Sequence, residues 1–393
     1  MKKYELIVCG AGPAGICAAI AAGRKGVKTL LIEEDAFPGG AAVDYGVQLF
    51  CGEPIEGIHQ EIREELDKID PYYQQTKRCF SWISLVKVVK EMLKKAKVDF
   101  LPYSKVIGGR EGKENVDVEV LFSSYKGIKK EIFWTKIAID ATGNGDLATS
   151  MGCEFRFGRE AKNEFNESFA PEKEDNFVQQ VTWMYICEKV KEMNYKNPGP
   201  HMGENKYLVW GGGFECNDPT NPEELEKTQK IALKSLKEQF KKLEKNGFRV
   251  IYLAPKIGIR ETRRIIGDYI LNEQDLRKGK KFSDAICRAK YPLDPWGPQG
   301  KNPLWKNPEG CRVPFYYIPY RSILVKGKER ILTAGRCISG THIAMSSYRV
   351  MPIVSLIGQA AGTAAALAIK NNTSLRKINI TKLQSALIKG MNL

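Results

Sequence analysis

The sequence predicts an α/β fold in two parts: a parallel-stranded unit assembled from both ends of the chain, and an α+β unit inserted between them. Three observations carry this. "YELIVCG" runs into "AGPAGICAAIAAGRKG" and then "VKTLLIEE", a strand, helix and strand in succession. From about residue 150 to 320 the rhythm stops, and the chain becomes rich in Asn, Pro, Gly and aromatics. "ERILTAGRC" then restores the strand pattern, and a last apolar helix follows. The expected division is residues 1–150 plus 325–393 for the first unit and 151–324 for the second.

The elements follow in order. After the opening βαβ unit, "FPGG" closes the segment, and "ISLVKVVKEMLKKAK" places Leu85, Val88, Val89 and Met92 on one helical face. "VDFLPYSKVIGG" reads as extended, and "VDVEVLFSSYKGIKKEIFWTKIAIDATG" as hairpin-like strands ending at Thr142 and Gly143. The inserted unit holds one long amphipathic helix from about Pro222 to Lys245. "RVMPIVSLIGQAAGTAAALAIK" is the most apolar stretch, but Pro352, two glycines and its many small residues predict a buried helix rather than a membrane span. The first residues, "MKKYELIVCGAGPAG", reach a glycine loop too soon for a signal peptide and read as a first strand.

A chain of 393 residues can bury a substantial core, and 43% hydrophobic with 27% charged residues is a globular composition. The formal charge of +15 admits an anionic partner, yet much of the excess is lysine spread over helical patterns such as "LKSLKEQFKKLEKNG", which reads as solvated helix face. The ten cysteines contain no C-x-x-C pair and no zinc-ligand spacing, which points to reduced thiols and a cytoplasmic setting, with no metal site.

Gly10, Gly12 and Gly15 form G-x-G-x-x-G between a strand and a helix, where glycines permit a tight turn and close approach of a pyrophosphate to backbone N–H groups. Glu33 ends the second strand, where a carboxylate can accept hydrogen bonds from both hydroxyls of an adenosine ribose. This is a Rossmann-type signature. A plain NAD domain would finish its sheet in contiguous βα units, whereas here the later strands end far apart, at Ala141, Thr142 and Gly143 and at Gly335 and Arg336.

Those motifs together resemble the FAD-dependent oxidoreductases with a glutathione-reductase-like flavin domain. The closer likeness is to a bacterial subgroup, carried here by "ATGNGDLA", "GIRETRRIIGDY", "IPYRS", "AGRCISGTH" and "RVMPIVSLIGQAAGTAAA" across nearly the whole chain. The resemblance implies FAD as cofactor. It implies that Gly10, Gly12, Pro13, Ala14 and Gly15 hold the pyrophosphate, with Glu33 and Glu34 at the adenosine ribose. Gly39, Gly40 and Ala41 would follow the diphosphate and ribityl chain, and Val106 would touch adenine through its backbone. Ala141, Thr142 and Gly143 would close over the adenosine side, and Gly335 with Arg336 would meet the ribityl phosphate. In the last helix Pro352 suits a first turn, so free N–H groups near Val350 and Met351 would face the flavin. Two departures from the pattern stand out: Asn144 replaces the commoner aspartate, and "YPLDPW" ends in Trp296 where many relatives carry histidine.

Of the three histidines, His342 falls between the strand end at Gly335 and the last helix, which marks it as a candidate general acid or base within the cofactor pocket; a hydrogen-bonding role only is the other reading. His59 and His201 read as ordinary surface or loop residues. Tyr348 with Arg349, and Tyr320 with Arg321, are Tyr-Arg pairs suited to anchoring a substrate oxygen or to plain structural bonds. "RETRR" is the densest charge cluster. If helical, Arg260, Arg263 and Arg264 share one face; if extended, Arg263 points opposite the other two. Either way at least one is expected to face the flavin pocket, with Glu261 and Asp268 available to absorb the others.

The function these readings imply is hydride exchange between flavin N5 and a small polar or anionic substrate: an alcohol, a hydroxy or unsaturated acid, or a sugar. A flavoprotein acting on RNA in tRNA modification and a flavin-binding electron-transfer subunit are the alternatives. No second nucleotide domain is present, so the electron donor or acceptor stays open, as does homo-oligomer formation. The interleaving of lysines with acids argues against a nucleic-acid partner.

Overall fold

β1 (Lys2–Cys9) is apolar where it is buried, and the glycine loop after it turns the chain into α1 (Pro13–Arg24), whose small residues lie almost wholly inside. In this computed structural model, which describes residues 2–53, 56–124, 127–193, 195–298 and 302–388, β1 is the centre of a mixed α/β sheet. β2 (Thr29–Ile32) and β3 (Asp99–Leu101) extend it on one side, each parallel to its neighbour. Between them in sequence, α2 (Ile58–Ile69) and α3 (Trp82–Lys95) pack their apolar stripes against the core.

On the other side of β1 lies β6 (Gly127–Asp140), also parallel to it. β4 (Ser104–Glu111) and β5 (Val116–Ser124) form an antiparallel excursion with the first part of β6, up to Thr135. The same edge of β6 then changes partner: Ala138 to Asp140 pair in parallel with β11 (Ile331–Thr333). The sheet is thus completed by a strand from the far end of the chain.

The intervening residues build a four-stranded antiparallel sheet. β7 (Val181–Lys189) is central, flanked by β9 (Lys206–Phe214) and β10 (Phe248–Leu253), with β8 (His201–Gly203) at the edge. α4 (Pro222–Lys245), the helix expected from the sequence, starts at an Asn221 cap and covers this sheet through Ala232, Leu236 and Leu243. Its lysines lie on the solvated side, as the charge pattern indicated.

α5 (Met351–Lys370) is apolar enough to cross a membrane by composition, but it is buried against α1 and the sheet. The glycines of "GQAAG" allow this approach. A Cβ at Gly358 would stand 2.0 Å from the Ala14 carbonyl oxygen, and one at Gly362 would stand 2.0 Å from that of Ala18. This contact sets the start of α5 beside the start of α1, at the C-terminal ends of the parallel strands, where such sheets place their ligands.

Candidate functional site

Two adjoining cavities open at these strand ends. The first, about 570 Å³, begins at the β1–α1 loop, with Gly10, Gly12, Pro13 and Ala14 in its wall. Gly10 takes φ +97° with its Cα packed so closely that a Cβ would lie 2.5 Å from the Ala141 carbonyl oxygen. Gly12 differs: a Cβ there would meet nothing within 4 Å, so its backbone lies open to the cavity. Gly15 faces inward rather than into the cavity, against the Gly10 carbonyl.

Glu33 and Glu34 line the same cavity at the end of β2. The Glu33 carboxylate accepts from the Ala11 N–H at 2.6 Å and the Asp35 N–H at 3.1 Å. Burial nevertheless outweighs these donors and pushes its pKa up to about 7. Asp44, also in the wall, is pushed up to about 8 by burial and by the carboxylates of Asp35 and Glu33. Glu34 ion-pairs with Lys105 at 3.2 Å and Lys256 at 3.8 Å.

Of the glycine pair after β2, Gly40 and then Ala41 reach the cavity, whereas Gly39 lies behind it and donates its N–H to Ala11 O. Val106 enters from β4, and Ala141, Thr142 and Gly143 from the end of β6. Gly335 and Arg336 follow β11. Arg336 donates to Gly143 O, Ile259 O and Asn144 Oδ1 at 2.9 to 3.0 Å, all neutral acceptors. Met351 borders both cavities and Val350 the second; they begin α5, which has no side-chain cap at its N-terminus. The partial positive charge of a 20-residue helix is therefore delivered where the cavities meet.

The second cavity, about 310 Å³, shares Ala41, Tyr45, Arg336, Arg349 and Met351 with the first. Its floor comes from the inserted sheet, through Thr182, Met184 and Trp210, and its outer wall from Trp296 and Trp305. Arg260 lies in this wall with its guanidinium carbon 3.9 Å from the centre of the Trp296 ring. It donates through Nη1 to Gln180 O at 2.5 Å and Thr182 Oγ1 at 2.6 Å, and forms no ion pair with a described carboxylate. Burial, reinforced by the Arg349 charge, lowers its pKa to about 9. Arg349 itself pairs with Asp294 at 3.0 Å.

"RETRR" is not helical, only Arg264 entering a strand, and its arginines go three ways. Arg260 faces the second cavity, while Arg263 lines the first and pairs with Asp146 at 2.6 Å. Arg264 lies in a two-residue strand and is fully buried, paired with Glu160 at 2.8 Å and with Glu261. No strand alternation runs through the segment, since Arg264 reaches Glu261 three residues back, and each arginine's direction is set by its own partners.

Four sequence-based expectations are corrected. His342 borders neither cavity: it opens the short helix His342–Tyr348, is 2% exposed, and its Nδ1 lies 2.7 Å from Glu261 Oε2. Tyr348 is buried beside it and donates to Ile338 O. Arg321 turns outward and pairs with Asp284 at 2.9 Å, away from both cavities. His59, read as a surface or loop residue, is instead buried in α2. Asp294, Tyr291, Trp210 and Asp44 are wall residues that sequence reasoning did not select; "YPLDPW" held a signal for Asp294, and the others carried none.

The glycine turn, the acid closing β2 and a long uncapped helix aimed at the cavity junction are the features of a nucleotide-binding α/β protein, here with two adjoining cavities. The chain belongs to the FAD dependent oxidoreductase family, whose model matches residues 5–387. It is an FAD-dependent oxidoreductase, and the residues fit that cofactor: open backbone at Gly12, an Arg336 with no carboxylate partner among the described residues, and the bare end of α5. Among solved structures, the chain is similar to p-nitrophenol 4-monooxygenase PnpA from Pseudomonas putida DLL-E4, at 14% identity over 99% of this chain and 84% of that one, with a TM-score of 0.51. It is also similar to a geranylgeranyl bacteriochlorophyll reductase-like protein from Thermoplasma acidophilum, at 14% identity, 99% and 84% coverage, and a TM-score of 0.47. No curated protein matches the sequence. The likeness to the p-nitrophenol 4-monooxygenase, at this identity, speaks to the fold alone.

Proposed function

We propose that this enzyme exchanges hydride with a small anionic substrate held in the second cavity. The observation that carries the reading is Arg260, a guanidinium in the cavity wall with no carboxylate partner among the described residues. FAD, when bound, supplies the hydride acceptor or donor at its N5. Arg260 would bind the substrate anion, and its stacking on Trp296 would fix the plane of the guanidinium so that its free edge is presented ready for bidentate bonding. The apolar surfaces of Met184, Trp210 and Trp296 would keep water from the reacting carbon.

Within this reading the first unit, residues 1–150 plus 325–393, is a glutathione-reductase-like flavin domain of the bacterial subgroup described above, and residues 151–324 form the substrate domain. Gly12, Gly40 and Arg336 would hold the diphosphate, Glu33 the adenosine ribose and Val106 the adenine. A cavity of its own beside the cofactor site favours an enzyme with its own substrate over an electron-transfer subunit.

Anaerobic flavin absorbance tests the reading. Oxidised holoenzyme mixed with a panel of hydroxy acids, alcohols and amines is expected to bleach with acids, or dithionite-reduced enzyme to recover its colour with unsaturated acids. Arg260→Ala should slow either change by about 100-fold while leaving FAD content unaltered. Response to neutral or cationic compounds alone would overturn it.

A further inference from the structure

We infer that the second cavity selects a monoanion with an apolar, hydroxyl-poor body, of the aryl or unsaturated carboxylate class. The inference rests on the anionic-substrate reading above and narrows it in two respects, charge and body.

The charge follows from the wall. Asp294 is the one carboxylate among the described residues lining the second cavity, and Arg349 takes it. Arg336 is shared with the cofactor cavity, where phosphate would claim it. One guanidinium, Arg260, is left without a counter-charge on the substrate side, which matches one carboxylate and not two. A second carboxylate would be desolvated beside Asp294 with no cation of its own.

The body follows from how the polar groups are already used. Asp294 accepts from Asn302 Nδ2 at 2.6 Å as well as from Arg349, and Thr182 Oγ1 is engaged by Arg260. The Tyr291 hydroxyl, beside the Cys51 thiol, and Tyr45 are the two hydroxyls that remain for a ligand. A sugar or polyhydroxy acid entering this space would exchange its bonds to water for contact with Leu49, Met184 and the tryptophans, leaving most of its hydroxyls unmatched. An aryl or alkenyl group loses nothing on entry and buries its surface there. Trp305 stands at the mouth, 63% exposed, with its ring edge-on to Trp296 at 4.8 Å between centroids, so the outer wall offers aromatic edges and faces to a flat group.

Difference absorbance of the oxidised holoenzyme, titrated with benzoate, cinnamate, benzyl alcohol, succinate and gluconate, tests both parts. Benzoate or cinnamate is expected to bind at least about tenfold more tightly than benzyl alcohol, succinate or gluconate. Arg260→Gln should remove the preference for the acid over benzyl alcohol, with Arg260→Lys restoring part of it. Trp305→Ala, at a solvent-exposed position, should weaken benzoate severalfold and leave FAD bound. Tighter binding of succinate or gluconate than of either aryl acid would overturn the narrowing while leaving an anionic substrate in place. Equal binding of benzoate and benzyl alcohol to wild type and Arg260→Gln would overturn the anionic reading itself. No spectral response to either aryl acid also overturns the inference.

Discussion

Asn144 Oδ1 accepts hydrogen bonds from Arg336 Nη2 at 2.9 Å and from Thr262 Oγ1 at 3.1 Å, so the arginine bordering both cavities is held in place without being neutralised. An aspartate at this position would hold Arg336 equally well but cancel its charge. The amide therefore leaves the Arg336 charge uncancelled in the cavity wall, where under the proposed reading it would meet the FAD phosphates.

Asn144→Asp is accordingly expected to weaken FAD binding by about tenfold, the effect of roughly one unit of charge interaction in a half-buried site. Equilibrium dialysis, or recovery of free-flavin fluorescence, measures it. An unchanged FAD dissociation constant would show that Arg336 does not meet the phosphates.

Arg264 joins segments that are distant in sequence. It donates to Gly158 O, Gly340 O, Glu160 and Glu261 in the interior. Burial opposes its charge, but Glu160 and Glu261 outweigh that and raise its pKa above the usual arginine value. Arg264→Met would take the guanidinium from two buried carboxylates and should cost about 3–5 kcal/mol of stability, read by urea unfolding. A loss below about 1 kcal/mol would mean that the carboxylates find other partners.

His59 makes the protein sensitive to acid. Both ring nitrogens lack partners, the ring sits 4.7 Å from that of Phe50, and burial, with Arg63 adding to it, lowers the pKa to about 3. Below pH 6.5 the unfolded chain takes up a proton that the folded chain refuses until about pH 3. The stability contribution is thus intact above pH 6.5 and falls by about 1.4 kcal/mol per unit as pH drops through this window. His59→Leu should flatten the pH dependence of the unfolding midpoint between pH 6.5 and 5 relative to wild type; parallel curves would refute it.

Much of the first cavity's wall is legible in one dimension because its determinants are local. A strand, a glycine turn and a helix specify the β1–α1 loop within fifteen residues of sequence, so Gly10, Gly12 and Ala14 could be named from pattern alone. Glu33 follows from its distance along the same unit. The second cavity is different. Thr182 and Met184 share β7, but Arg260, Asp294 and Trp305 come from other parts of the chain, and no sequence spacing relates them to that strand. His342 shows the reverse failure: its position beside two cofactor motifs pointed to the pocket, but the chain turns between Gly335 and Val350, and Glu261 draws the ring to the interior.

The arginines of "RETRR" mark the boundary between the two kinds of information. Composition alone requires that three neighbouring guanidiniums find acceptors, because a desolvated charge without one is too costly to keep. Which acceptor each receives depends on what the rest of the chain brings alongside. Glu160 comes to Arg264, Asp146 to Arg263, and to Arg260 only neutral oxygens and an indole face. Backbone pattern is a property of adjacent residues, so the nucleotide fold could be read directly. Charge compensation is a property of distant ones, and only the folded chain leaves Arg260 without a carboxylate partner.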